Sequence, residues 1–299
     1  MKRKHLFHIF FAFAMCFCFT AKAQQLPQFS QFDEHAYVLN PGVAGSTNYF
    51  DAKAVNRSQW TGITDAPRTF AMSLHTPLKN PKIGVGGYLV TDNVGPTRRT
   101  GIQLSYTYHL NLSEDIKLGL GASMGVLQFT IDGSKIQLFE EGDPALFSEM
   151  NSQTVFDAKL GAYMYSDSWY VGFSAPQLLQ NQIKLFESTS ADLSKLEDHY
   201  VLMAGYEYTL NDDFDIEANA LLKYVQPAPL MMDFNLKVRY LKKIQAGVGY
   251  RHNDALIFMA GYEYRESINI GFSYDMTTSD LRNYSNGTYE VLVGFRFNR

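Results

Sequence analysis

The sequence predicts an all-β chain: a transmembrane antiparallel up-and-down β-barrel of about 14 strands behind a short N-terminal periplasmic segment. Three observations carry this expectation. Apolar and polar residues alternate in segment after segment, an export leader opens the chain, and the connections fall into a short and a long class.

The alternation is clearest at the C-terminal end, Tyr289 to Phe297. Tyr289, Val291, Val293, Phe295 and Phe297 fall on one face, while Glu290 and Arg296 fall on the other. Side chains along a strand point to opposite faces in turn, so one face is oily and the other carries both charges.

Residues 1–23 read as a signal peptide. Lys2-Arg3-Lys4 is the basic start, Leu6 to Phe19 the apolar core, and Ala21-Lys22-Ala23 the small-x-small cleavage site. The apolar run is short for a bilayer anchor. Cys16 and Cys18 leave with it, so the mature chain has no disulfide framework, thiolate metal site or cysteine nucleophile. Losing four positive charges takes the formal net charge from −4 to −8, which argues against nucleic-acid binding. Aromatic residues make up 14%, and nothing after the leader is long and apolar enough for a membrane helix. An exported, aromatic-rich, alternating chain has the composition of an outer-membrane barrel.

Residues 24–46 read as a periplasmic or plug segment. Gln28-Phe29-Ser30-Gln31-Phe32 and the turn chemistry of Asn40-Pro41-Gly42 break any ladder, with a short helix expected around Phe32 to Leu39 that covers or plugs the barrel end. Residues 47–299 form the barrel. Its strands are expected at about 48–60, 68–78, 82–92, 100–111, 115–131, 153–166, 168–175, 198–210, 213–226, 230–241, 244–252, 255–265, 267–276 and 287–298. An even count suits bacterial barrels. The odd-numbered connections include the longer ones (61–67, 93–99, 132–152, 176–197 and 277–286), although those near Pro227 and Asn253 are short; the even ones are tight throughout. With the first strand running outward, the tight turns face the periplasm.

Met203 to Tyr208 recurs as Met259 to Tyr264. Tyr206, Tyr208, Tyr262 and Tyr264 are expected to face lipid near an interface, and Glu207 and Glu263 the lumen. The glycines around Gly84, Gly86, Gly119, Gly121, Gly247 and Gly249 are expected where a curved sheet bends.

No catalytic or cofactor constellation emerges. His35, His75, His109, His199 and His252 are isolated, outside any Gly-x-Ser-x-Gly or His-Glu-x-x-His setting. Glu140-Glu141 and Asp212-Asp213 read as solvated loop charge rather than a glycosidase pair. The odd connections are richer. Asn56 to Gly62 with Asp65 to Arg68, Asp92 to Arg99, and Tyr274 to Asp280 with Asn283 to Gly287 have two readings. In one they are turns with a wet rim. In the other they are a recognition surface, since Arg57, Trp60, Arg68, Arg98 and Arg99 are the types that anchor protein interfaces. Arginine forks also suit carboxylates.

The same segments carry a family likeness over almost the whole mature chain. Its motifs are Gln28 to Phe32, Asn40-Pro41 with Ala44-Gly45-Ser46, Gln59-Trp60-Thr61-Gly62, Ala66-Pro67-Arg68-Thr69, Ser73 to Leu78, Gly95-Pro96-Thr97, Tyr274-Asp275 and Tyr284 to Gly287. In their order and spacing the chain resembles the PorP/SprF family of outer-membrane proteins, associated with type IX secretion and gliding motility in Bacteroidetes. The resemblance implies a non-enzymatic barrel, without cofactor, that helps secrete or retain large adhesin-like cargo bearing a type B C-terminal domain. It further implies work alongside the secretion translocon and the periplasmic ring and peptidoglycan-linked lipoproteins. If the outward loops hold that cargo, alanine at Trp60, Arg68 and Arg98 is expected to release it while the barrel still inserts. The alternatives are a diffusion channel for small or hydrophobic molecules, a barrel hydrolase, and a soluble periplasmic sandwich.

Overall fold

The computed structural model describes residues 26–136, 150–181, 196–226 and 228–297. Fourteen strands run up and down: β1 Phe50–Ser58, β2 Arg68–Pro77, β3 Ile83–Val94, β4 Thr97–Asn111, β5 Lys117–Asp132, β6 Met150–Tyr165 and β7 Trp169–Ala175. They continue as β8 His199–Thr209, β9 Phe214–Val225, β10 Met231–Tyr240, β11 Ile244–Arg251, β12 Ala255–Tyr264, β13 Ile268–Thr277 and β14 Thr288–Phe297. Each pairs antiparallel with its sequence neighbours, and β1 pairs with β14, from Phe50 opposite Phe297 to Ser58 opposite Tyr289. The sheet closes, so it has no edge to leave backbone donors and acceptors unpaired in hydrocarbon.

Alternation decides which face meets lipid. On β4, Gly101, Gln103, Ser105, Thr107 and His109 are buried, while Ile102, Leu104, Tyr106 and Tyr108 face out. On β14, Tyr289, Val291 and Phe295 are outside and Glu290 is inside. Tyr206, Tyr208, Tyr262 and Tyr264 are outside, and Glu207 and Glu263 point inward to Arg239 and Arg296. This is the reverse of a soluble protein, whose polar face would be the outer one.

The even-numbered connections are short throughout: 78–82, 112–116, 166–168, 210–213, 241–243 and 265–267. The long ones, 59–67, 133–149, 176–198 and 278–287, all lie at the opposite end. Most of the second and third of these, with Glu140, Glu141 and Pro227, lies outside the described residues, as does the expected signal peptide, residues 1–23. One expected loop is absent. Residues 93–99 are mostly strand, and only Gly95-Pro96 joins β3 to β4, because Gly95 takes a left-handed φ of 56° that permits a tight turn.

The lumen is not empty. From Leu26 the chain runs down the inside of the barrel, makes a four-residue helix α1 (Ala36–Leu39) and a 3₁₀ turn at Pro41–Val43, then enters β1. The helix ends at Leu39 as expected, where Asn40 is extended and its side chain accepts a hydrogen bond from Gly42 N–H at 2.9 Å, but it begins at Ala36 rather than Phe32, residues 32–35 being turn. Phe29, Phe32, Tyr37, Val38, Leu39 and Ala44 are buried against inward residues such as Val55, Ala71, Met203, Leu221 and Leu292.

Candidate functional site

An irregular segment in a lumen must still satisfy its backbone. Here the wall supplies the donors. Lys223 Nζ donates to Pro27 O at 3.1 Å, Asn235 Nδ2 to Ser30 O at 2.9 Å, Lys53 Nζ to Glu34 O at 2.6 Å and Lys159 Nζ to Val38 O at 2.6 Å. Ser174 Oγ donates to Leu39 O at 2.7 Å and Thr107 Oγ1 to Pro41 O at 2.6 Å, while His109 Nε2 lies 2.9 Å from Ala44 O. Seven side chains from six strands thus meet one segment at its carbonyls.

The glycines fit that segment. A Cβ at Gly84 would run into the Ala44 backbone, one at Gly119 into Gly42 O, and one at Gly121 into the Pro41 backbone. A Cβ at Gly161 would strike the Asn40 side chain, and one at Gly86 would stand 2.6 Å from the Tyr37 hydroxyl. These glycines mark close approach of the segment to the wall, not only sheet curvature.

Near the end with the long connections lies a buried charge cluster. Arg57 Nη1 donates to Glu290 Oε2 at 3.1 Å, and its Nη2 donates to Asp275 Oδ2 at 2.8 Å. Arg251 donates to Asp275 at 2.8 Å and to Asp233 at 3.0 Å. At its centre, Ser30 Oγ accepts from Arg57 at 2.7 Å and donates to Asp275, and the backbone N–H groups of Ser30 and Gln31 donate to Glu290 at 2.8 and 2.9 Å. All five charged side chains are at most 2% exposed. Three carboxylates and two guanidiniums, each hydrogen-bonded, replace the water they lose. Lower down, Lys237 pairs with Asp33, while Lys53 and Asn269 hold Glu34. Burial opposes the charge on Glu34, but Lys53 and Lys237 overcome it and hold the carboxyl at about 2. Burial pushes His35 down to about 3, so its ring is neutral.

The five expected contact residues separate. Arg57 is fully buried in the cluster, so it presents nothing to a partner outside the barrel; that expectation is corrected. Its odd position on β1 shares the inward parity of Val55 and Asp51. Arg99 also points inward, at 5.5 Å over the Phe129 ring, into an apolar recess of ≈50 Å³ shared with Leu26, Phe29 and Leu127. Arg68 and Arg98 are exposed on the outward face and line one polar recess of ≈590 Å³. Trp60 lies in the 59–67 connection, half-buried, with a left-handed φ of 48° that is an outlier for a bulky residue. Trp60 N–H donates to Thr288 Oγ1 at 3.0 Å, and Thr61 exchanges backbone hydrogen bonds with Gly287 and Asn286.

Asp233 and Arg251 are not singled out by sequence, and Ser30 and Asp275 enter it only as parts of longer motifs, without this role. Each wall residue is nevertheless an inward charge near the rim on which the long connections lie. Pairing them with Ser30 required the fold.

The family comparison decides the identity. The model of the type IX secretion system membrane protein PorP/SprF matches residues 21–295. The chain belongs to the PorP/SprF family. No curated protein gives a significant match to this PorP/SprF chain. Solved structures similar to the PorP/SprF barrel are outer-membrane barrels. CymD, a monoaromatic hydrocarbon channel, is 13% identical over 92% of this chain and 94% of its own, with a TM-score of 0.51. The TodX deltaS2S3 mutant, also a monoaromatic hydrocarbon channel, is 10% identical over 88% and 94%, with a TM-score of 0.51. A Pseudomonas aeruginosa FadL homologue is 12% identical over 93% and 96%, with a TM-score of 0.48. At these identities the likeness of the PorP/SprF chain to them is one of fold. It is an outer-membrane β-barrel of a type IX secretion family.

Proposed function

We propose that this barrel is a non-enzymatic component of type IX secretion that supports the secretion or surface attachment of large adhesin-like cargo with a type B C-terminal domain. In this reading it acts with the translocon and with periplasmic ring and lipoprotein components. The observation that carries it is the filled lumen. Residues 28–45 lie against wall side chains that bind their carbonyls, so the working surface is the rim and not a pore. On that rim Trp60 supports the reading best. Its strained backbone is held by Thr288 at the start of β14, and such strain gathers where a side chain must be presented.

The test compares cells carrying Trp60→Ala with wild type, scoring cargo retained at the surface. Barrel insertion is followed in parallel by heat-modifiable gel migration. Loss of retained cargo with normal insertion supports the reading; unchanged retention overturns it. A crosslinking pull-down from outer membranes then asks whether secretion components accompany the barrel.

A further inference from the structure

Among the described strand residues, Arg68 and Arg98 are the cationic side chains whose parity puts them on the outer face. Arg68 stands opposite Asn93 in the β2–β3 register, and Asn93 stands opposite Arg98 in the β3–β4 register. Adjacent strands lie about 4.8 Å apart, so the two arginines rise about 10 Å apart from one outer wall. Both point sideways, on the face that meets lipid lower down.

Their height follows from the alternation. Below Arg68 the outward positions of β2 are Phe70, Met72 and Leu74; below Arg98 those of β4 are Thr100, then Ile102, Leu104 and Tyr106. Arg68 is thus one outward position above the apolar band and Arg98 two. At about 3.4 Å per residue and a tilt near 40°, these are about 5 and 10 Å above it. The headgroup layer on each side of the hydrocarbon is roughly 5–8 Å thick. The pair therefore borders the layer where lipid phosphates lie.

The recess they line is a built concavity. The 59–67 connection closes it on one side, with Asp65 O accepting from Gly95 N–H at 3.0 Å, and Ser58, Asn93, Thr97 and Thr130 add neutral hydrogen-bonding groups. Two carboxylates share it. Asp132 is engaged by Lys135 at 3.7 Å and by Ser134, which leaves Asp65 against two guanidiniums. Neither arginine has a protein partner among the described residues.

We infer that this recess holds the phosphorylated headgroup of an outer-leaflet lipid, clamped between Arg68 and Arg98. Guanidinium forks match phosphate oxygens, and a site beside the hydrocarbon band receives a lipid whose chains stay in the bilayer. The inference assigns Arg68 and Arg98 to lipid rather than cargo and is separable from the Trp60 reading, because Trp60 does not line this recess.

The full barrel in detergent, titrated with diphosphoryl lipid A and followed by native mass spectrometry, tests it. Wild type is expected to bind about tenfold more tightly than Arg68→Gln/Arg98→Gln, with binding weakened by salt. Lys242→Gln, exposed at the opposite end, is expected to bind as wild type does. Arg68→Lys/Arg98→Lys, which keeps the charge, is expected to fall between. Equal binding by wild type and the glutamine double variant overturns the inference, as does displacement of the lipid by millimolar inorganic phosphate, which would make this a free-anion site. A double variant that keeps lipid A but loses surface cargo also overturns it, assigning the arginines to a protein contact. Loss of lipid A binding with cargo retention unchanged supports the inference and leaves the Trp60 reading to its own test.

Discussion

Arg57 and Glu290 are register partners across the seam where the first strand meets the last, and their side chains join inside the lumen at 3.1 Å. Ser30 of the luminal segment is bonded to both. Barrel closure and plug seating therefore share one charge cluster. Arg57→Met would leave Asp275 with one guanidinium and Glu290 with none. A buried pair broken from one side costs about 3–5 kcal/mol. The expected outcome is a lower midpoint of heat-modifiable migration, with Arg57→Lys less affected.

Gly84 and Gly161 touch the segment so closely that a side chain has no room. Valine suits a strand, so Gly84→Val or Gly161→Val is expected to leave the barrel inserted and unseat residues 40–44. Single-channel conductance in planar bilayers should rise above wild type, and added protease should cut within 26–46. Gly294→Ala is the control, because its methyl would meet nothing nearer than 3.4 Å. Unchanged conductance in both valine variants would show that the segment does not close the lumen.

Seating should depend on pH. His35 lies 5.2 Å from the Phe29 ring, among Glu34, Asp51, Lys53 and His75, and burial holds it at about 3 against an ordinary 6.5. A group depressed in the fold stabilises above its unfolded value and loses that contribution as pH falls. Seating therefore weakens from about pH 6.5 downward, and Glu34, held at about 2, adds to the loss below about 4.5. Asp33, raised by burial against the pull of Lys237, opposes the trend. Hydrogen-exchange protection at residues 28–39, taken relative to the intrinsic rate at each pH, is expected to fall between pH 7 and 5, less so in His35→Phe.

Orientation has a direct measurement. Cys16 and Cys18 are the two cysteines of the sequence, so with both replaced by serine single cysteines can be placed cleanly. Asp280→Cys, in the connection before β14, is expected to react with an impermeant maleimide on whole cells. Glu114→Cys, in the tight 112–116 turn, is expected to react only after permeabilisation. The reverse pattern would invert the rim and place both Trp60 and the arginine recess in the periplasm.

The wall was legible because lipid imposes a period of two, and that period survives in every strand from Phe50 to Phe297. It even places Glu207, Glu263 and Glu290 inside. The same rule puts Arg57 and Arg99 inside, yet a cluster of arginines around Trp60 looks like one surface when read along the chain. Strand ends separate them, since Arg98 and Arg99 are adjacent in sequence and opposite in direction. The luminal segment was harder to read. Its fit depends on carbonyls of residues 27–44 meeting side chains as distant as Lys223 and Asn235, and no local period records such pairings.

The seam joining β1 to β14 sets an order of events. A cord already lying inside a hoop can be trapped when the hoop is fastened, and the clasp here carries Arg57 and Glu290, the two side chains that grip Ser30. Fastening is thus favoured once the cord is in place, so residues around Ser30 help hold the last strand to the first.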